Sequence, residues 1–189
     1  MTDVDRIAAI WRQHHELVLA LEPLAPDVLR AAEMVAATLT NHGRLLLAGN
    51  GGSAADAQHI AAELTGRFMR ERRPYAALAL HANSSAVTAI GNDYGYEHVF
   101  AREVLAHGRA GDVHVAISTS GNSENILRAI DAAHSTGLHV IGLTGETGGR
   151  MKAVCDVCLM VPSRSTPRIQ EMHILIGHTI CELIEERVA

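Results

Sequence analysis

The chain has 189 residues and a formal net charge of −5, with no basic tract beyond Arg70-Glu71-Arg72-Arg73, which reads as a solvated helix end or loop. That length suits one domain with a sizeable core, and the charge argues against nucleic acid as the main partner. Apolar residues make up 48% and aromatic residues only 3%, so the core should be aliphatic and Ala-rich, as when helices pack on a parallel sheet.

The first residues, Met1 to Arg6, lack the basic start and apolar run of a signal peptide. Nowhere does the chain approach the roughly 18 apolar residues of a membrane span, so no membrane partner is expected. Ile7, Ile10, Trp11, Leu17 and Val18 recur at helical spacing over residues 3–20, and Val28, Leu29, Met34, Val35 and Leu39 over 26–41. Pro23 and Pro26 separate the two helices, and Asn41-His42-Gly43 ends the second. Residues 1–42 therefore read as an N-terminal helical hairpin, a surface suited to packing on another subunit.

From residue 43 to 189 strands and helices alternate. Strands are predicted at 44–48, 75–80, 112–117, 138–143 and 156–161. Helices are predicted at 53–67, 84–91, 96–107 and 123–136, with a short one near 149–153. A long final helix over 168–187 is opened by Thr166-Pro167. The fold class is α/β: one domain with a doubly wound, flavodoxin-like parallel sheet of five strands in the order 2-1-3-4-5.

The first strand runs into Gly49-Asn50-Gly51-Gly52-Ser53 and then a helix. Unpaired N–H groups and the dipole at that helix start make an anion site. His59 and Glu63, four residues apart, share a face of the same helix. The third strand leads into Ser118-Thr119-Ser120-Gly121-Asn122-Ser123, again before a helix. Strands 1 and 3 are neighbours at the switch point, so both loops open into one crevice at their carboxyl ends, and a phosphate ester is the expected ligand. The first turn also fits G-x-G-x-x-A, but the second strand ends in Leu80-His81-Ala82-Asn83 without the acid that a ribose needs. No nucleotide cofactor is expected, and no Lys-Ser/Thr follows the glycines as a Walker A loop requires.

Lys152, the only lysine, lies in a glycine-rich turn, which excludes a Schiff-base role. Three cysteines, an odd number, give no disulfide framework, so a reducing cytoplasm is the expected location. Cys155 and Cys158 form a C-x-x-C, but residues three apart on a strand face opposite ways, so no joint role is expected. Nine histidines are scattered as surface or packed imidazoles. On the final helix Gln170, Glu171 and His178 bring polar groups into an apolar element, and His178 needs a partner there; a carboxylate such as Glu171, seven residues away, is one.

Together Gly49–Ser53, His59–Arg67, Gly91-Asn92-Asp93, Ile117–Ser123 and Arg168–His173 resemble the sugar isomerase (SIS) domain family, over nearly the whole chain. They resemble most the branch that converts sedoheptulose 7-phosphate to D-glycero-D-manno-heptose 7-phosphate through a cis-enediolate, the first step toward nucleotide-activated heptose. The resemblance implies that Ser53, Ser118, Thr119, Ser120 and Ser123 hold phosphate, while Asn50, Gly51, Gly52, Asn92, Asp93 and Gln170 line the sugar. It implies Glu63 as base and His178 as acid. It also implies a zinc ion on His59, Glu63, Gln170 and His178, and a homotetramer with sites at subunit interfaces. The alternative is a non-catalytic regulator on the same fold that binds a sugar phosphate or a protein; such relatives lack Glu63 and His178. No role is assigned to Pro162–Pro167.

Overall fold

A computed structural model describes residues 1–188. Its sheet is wholly parallel in the order β2-β1-β3-β4-β5, as the alternation predicts. The strands are β1 (Leu45–Gly49), β2 (Ala77–Ala79), β3 (Val113–Ile117), β4 (His139–Thr144) and β5 (Val157–Met160). β1 and β3, at the centre, are buried along their whole length. Their carboxyl ends are level, Gly49 opposite Ile117.

Alternation along these strands feeds two aliphatic layers. Leu45, Leu47, Val113, Val115 and Ile117 point into a layer shared with α1 (Asp3–Leu19), α2 (Ala25–Thr40), α3 (Gly52–Thr65) and α7 (Thr166–Val188). Leu46, Ala48, Ala116 and Val140 point the other way. There they meet α5 (Val99–His107) and α6 (Glu124–Ser135), with α4 (Ser84–Tyr94) resting on the rim. Period-two residues on strands and period-3.6 residues on helices thus meet in two sandwiched cores.

Local signals explain the element ends. Thr2 and Asp5 form a capping box that starts α1. Pro26 sits in the first turn of α2, where its missing N–H costs nothing. The helix ends with His42 at φ 59° and the Gly43 N–H bonded to Thr38 O at 2.9 Å. The left-handed residue is therefore the histidine, not the glycine after it.

In the basic stretch 70–73, Arg70, Glu71 and Arg73 are exposed as predicted, but Arg72 is not. The Arg72 side chain is 3% exposed and pairs with Glu185, itself 2% exposed, at 3.0 Å. The Glu185 carboxylate also accepts from the N–H groups of Phe68, Met69 and Arg70 at 2.8–2.9 Å. Burial would raise the Glu185 pKa, but those three N–H groups and the guanidinium outweigh it and hold it below the usual carboxylate value. The segment after α3 is thereby fixed to the end of α7.

Candidate active site

The two glycine–serine loops meet at the carboxyl ends of β1 and β3. Gly51, before α3, has φ 57° and ψ −121°, a conformation that side chains resist. Ser53 in the first turn is 3% exposed, and Ser118 is 4% exposed. Ser118 Oγ lies 3.0 Å from Ser123 Oγ and 3.4 Å from Ser120 Oγ, so three hydroxyls converge. Ser123 is the N-cap of α6, yet its hydroxyl does not cap the helix.

A reciprocal amide pair ties one loop to the next helix: Asn50 and Asn125 each donate Nδ2 to the other's Oδ1 at 2.9 Å. Tyr96 OH donates to Asn50 Oδ1 at 3.1 Å, which brings the end of α4 to the crevice. Asn92 and Asp93 lie in that last turn, exposed and bonded to one another at 2.8 Å. Asn125 and Tyr96 were not singled out from sequence, since nothing in their spacing marks them.

The loop 162–167 faces the cradle. A cavity of about 300 Å³ lies between Thr119, Ser120 and Asn122 on one side and Glu146, Ser163 and Arg164 on the other. Arg164 is ion-paired to Glu146, and the Glu146 N–H bonds to Ser163 O.

α3 and α7 lie side by side, and a small residue sets how closely. A Cβ on Gly177 would meet Ile60 Cδ1 at 2.5 Å. This contact brings His178 to His59, Nε2 to Nε2 at 3.0 Å, while His59 Nε2 lies 3.2 Å from Glu63 Oε1. One donor atom from each of these three residues lies within 4.8 Å of the others. Phe68 packs on His178 with ring centroids 5.3 Å apart, and the Glu185 anchor holds its backbone. The sequence left His178 with Glu171 as one possible partner. Glu171 is instead bonded to His14 at 2.7 Å and to Arg168, and His178 pairs with His59.

Two imidazole nitrogens and a carboxylate oxygen converging in this way match the three-ligand donor set of a catalytic zinc site. Two Nε2 atoms at 3.0 Å also need either a proton or a cation between their lone pairs. Gln170 is not brought to this trio. Its amide lies against Gly52, whose added Cβ would be 2.5 Å from Nε2. Eight residues, about 12 Å of helix rise, separate it from His178. Gln170 therefore lies at the Gly52 end of α3.

Hydroxyls and helix N-termini thus lie at the switch point of this α/β fold, and two imidazoles with a carboxylate lie farther along, between α3 and α7. Comparison with known proteins names the class. The SIS domain profile matches residues 12–145. A phosphoheptose isomerase of Rhodospirillum rubrum is 53% identical over 96% of this chain and 97% of its own. The one from Helicobacter hepaticus is 50% identical over 95% and 91%. The structure of phosphoheptose isomerase from Neisseria gonorrhoeae superposes with a TM-score of 0.93 at 49% identity, covering 98% of this chain and all of that one. The chain belongs to the SIS domain family and, within it, to the phosphoheptose isomerases.

Proposed function

We propose that the protein converts sedoheptulose 7-phosphate to D-glycero-D-manno-heptose 7-phosphate, feeding the synthesis of nucleotide-activated heptose. The observation that carries this reading is the convergence of His59, Glu63 and His178 on a chain that also carries a hydroxyl-lined cradle. A sugar-binding regulator needs the cradle but has no use for the trio.

The phosphate is held at the start of α3 and α6 by Ser53, Ser118, Thr119, Ser120 and Ser123. It is remote from the reacting carbons, so its binding energy goes to orientation. Asn50, Gly51, Gly52, Asn92, Asp93 and Gln170 line the sugar. Glu63 removes the proton from C1 and returns it to C2 through the cis-enediolate, and His178 exchanges the hydroxyl proton. His59, Glu63 and His178 would hold zinc, which when bound supplies a positive charge facing the enediolate oxygens. Binding Glu63 to the ion would lower its freedom as a base, so metal content and turnover must be measured together.

We also read the protein as a homotetramer with sites completed between copies, in the cytoplasm. Three features support this. Val4, Ile7, Ile10 and Trp11 on α1 are 40–75% exposed, and α4 buries no residue. Ser53 and Glu63 are ten residues apart, about 15 Å of helix, whereas eight bonds from phosphorus to C1 span about 10 Å. That difference favours a cradle facing the trio of a neighbouring copy. No helix among the described residues is long and apolar enough to cross a membrane.

Incubation of the purified protein with sedoheptulose 7-phosphate tests the reading: the aldose phosphate should accumulate, and an unchanged ketose would refute it. Elemental analysis of the same sample should find zinc, lost in His59→Ala, and sedimentation should give four copies. Mixing inactive Glu63→Gln subunits with inactive Ser118→Ala/Ser120→Ala subunits should restore activity if copies share sites.

A further inference from the structure

The C-x-x-C at the far edge of the sheet is not split across two faces as a continuous strand would split it. β5 starts at Val157, so Cys158 is in the ladder, opposite Gly142 of β4, while Cys155 precedes it. Cys155 follows a 3-10 turn, Gly149–Ala153, capped by Val154, and its N–H bonds back to Met151 O at 3.1 Å. The turn folds Cys155 back over Gly142, the β4 register partner of Cys158, so both cysteines sit at one position of the sheet. Cys158 Sγ also lies 3.8 Å from Thr144 Oγ1, and Cys155 Sγ packs over Gly142, where a Cβ would be 2.7 Å away. Both are half-buried; Cys181, the remaining cysteine, is 1% exposed.

The same turn braces the serine loop. Met151 N–H donates to Gly121 O at 3.1 Å and Arg150 N–H to Asn122 Oδ1 at 3.0 Å. Arg150 also reaches Glu124, the first residue of α6, at 2.9 Å. Gly121 is so close to the turn that an added Cβ would lie 2.1 Å from Gly148 O.

We propose that Cys155 and Cys158 are a redox-active dithiol whose closure to a disulfide displaces the turn and loosens the serine loop; the second clause rests on the phosphate role proposed for that loop. The two cysteines are free, and unbonded sulfurs stand no closer than van der Waals contact, so closure to the S–S distance of about 2.05 Å must draw them together. Cys158 is fixed in the ladder, so the displacement falls on Cys155 and its turn.

The two thiols have different parts. The neighbouring Cys155 thiol, as a donor, lowers the pKa of Cys158 more than burial raises it, with help from the Thr144 hydroxyl and Lys152. The Cys158 sulfur and burial push Cys155 up. Cys158 is thus the attacking thiolate and Cys155 keeps its proton until the second step. The oxidant is a low-molecular-weight disulfide such as glutathione disulfide. Cys158 sulfur attacks one of its sulfurs and expels a thiolate. Cys155 then loses its proton, attacks Cys158 sulfur and expels the second thiolate. The dithiol gives up two electrons and two protons, and the oxidant becomes two thiols. A reducing cell reverses this, as for transient redox-sensing disulfides.

The test treats the reduced full-length protein with glutathione disulfide, alkylates it under denaturing conditions and digests it with trypsin. Residues 153–164 form one tryptic peptide containing both cysteines. We expect that peptide to carry no alkyl group and to be lighter by two hydrogens, with Cys181 alkylated. Cys155→Ser and Cys158→Ser should each prevent the bridge. The oxidised protein should bind sedoheptulose 7-phosphate about fivefold more weakly or worse, restored by dithiothreitol and unchanged in Cys158→Ser. Full alkylation, or glutathione retained on Cys158 with no bridge, would overturn the dithiol; a bridge without loss of affinity would overturn its coupling to the loop. The mass readout needs no turnover, so it stands whether or not the isomerase reading does.

Discussion

The cradle and the trio are assembled by different means. Every cradle loop follows a strand directly: 49–53 leaves β1 and 118–123 leaves β3, so sheet register alone sets Gly49 level with Ile117. The trio depends on two helices far apart in sequence, brought together by a glycine against an isoleucine and by a buried arginine–carboxylate anchor. Backbone geometry makes the end proposed to bind phosphate, and side-chain packing makes the end proposed to move protons. Damage to packing should therefore cost turnover before it costs phosphate affinity.

Glu63→Gln is the sharpest way to break that contrast. It keeps the side-chain volume and removes the proposed base, so kcat should fall by about 10²–10⁴-fold, the usual scale for a lost general base. Affinity for sedoheptulose 7-phosphate, measured by calorimetry, should change little. Equal loss of both would mean that the trio and the cradle are one unit.

Glu185→Ala attacks the packing side without touching the site. It leaves the Arg72 guanidinium buried and unpaired, which costs about 3–5 kcal/mol, and it releases the N–H groups of Phe68, Met69 and Arg70. Urea denaturation should show the lost stability. In whatever fraction stays folded, turnover should fall more than phosphate-ester affinity, because Phe68 no longer braces His178.

Acid should weaken the same packing. His114 and His173 are buried, and desolvation lowers both from 6.5 to about 4. Each donates one ring N–H to a carbonyl, of Leu46 and Thr144 respectively, and leaves its other nitrogen unbonded. Between pH 6.5 and about 4 the unfolded chain takes up protons that the folded chain refuses, so stability falls as pH falls. The loss approaches about 3 kcal/mol for each histidine and levels off below its folded pKa. His81, also lowered by burial, adds to the slope, while Asp56, raised by burial, opposes it at the acid end. A denaturation midpoint flat across that range would contradict this account.

The same division decides what could be read in the sequence. Strand order, both loops and the His59–Glu63 pair follow from local signals: apolar runs, glycines and a spacing of four. The His59–His178 contact does not, because it depends on how α3 and α7 pack at Gly177. Gln170 looked like a companion of His178 on one helix, yet two turns of rise carry it to Gly52. Arg72 sat in a charged run that resembles a solvated surface, and only its distant partner Glu185 makes it core. Cys155 reads as the edge of a strand that begins two residues later. Periodicity gives faces within an element, whereas partners between elements depend on contacts no window contains.

Ser123→Ala gives the mildest test and separates ligand binding from folding. Serine at an N-cap normally contributes about 1 kcal/mol by bonding to the helix N–H groups. Here the Ser123 hydroxyl makes no such bond and faces Ser118 instead. Its removal should leave urea stability nearly unchanged while KM for the sugar phosphate rises about tenfold, the scale of one hydrogen bond to a charged group. kcat should fall by much less than in Glu63→Gln, since Ser118 and Ser120 would still orient the phosphate and Ser123 is given no part in proton transfer. A loss of stability with KM unchanged would make Ser123 a helix cap rather than part of the cradle, and Ser118 would then have to hold the phosphate without it.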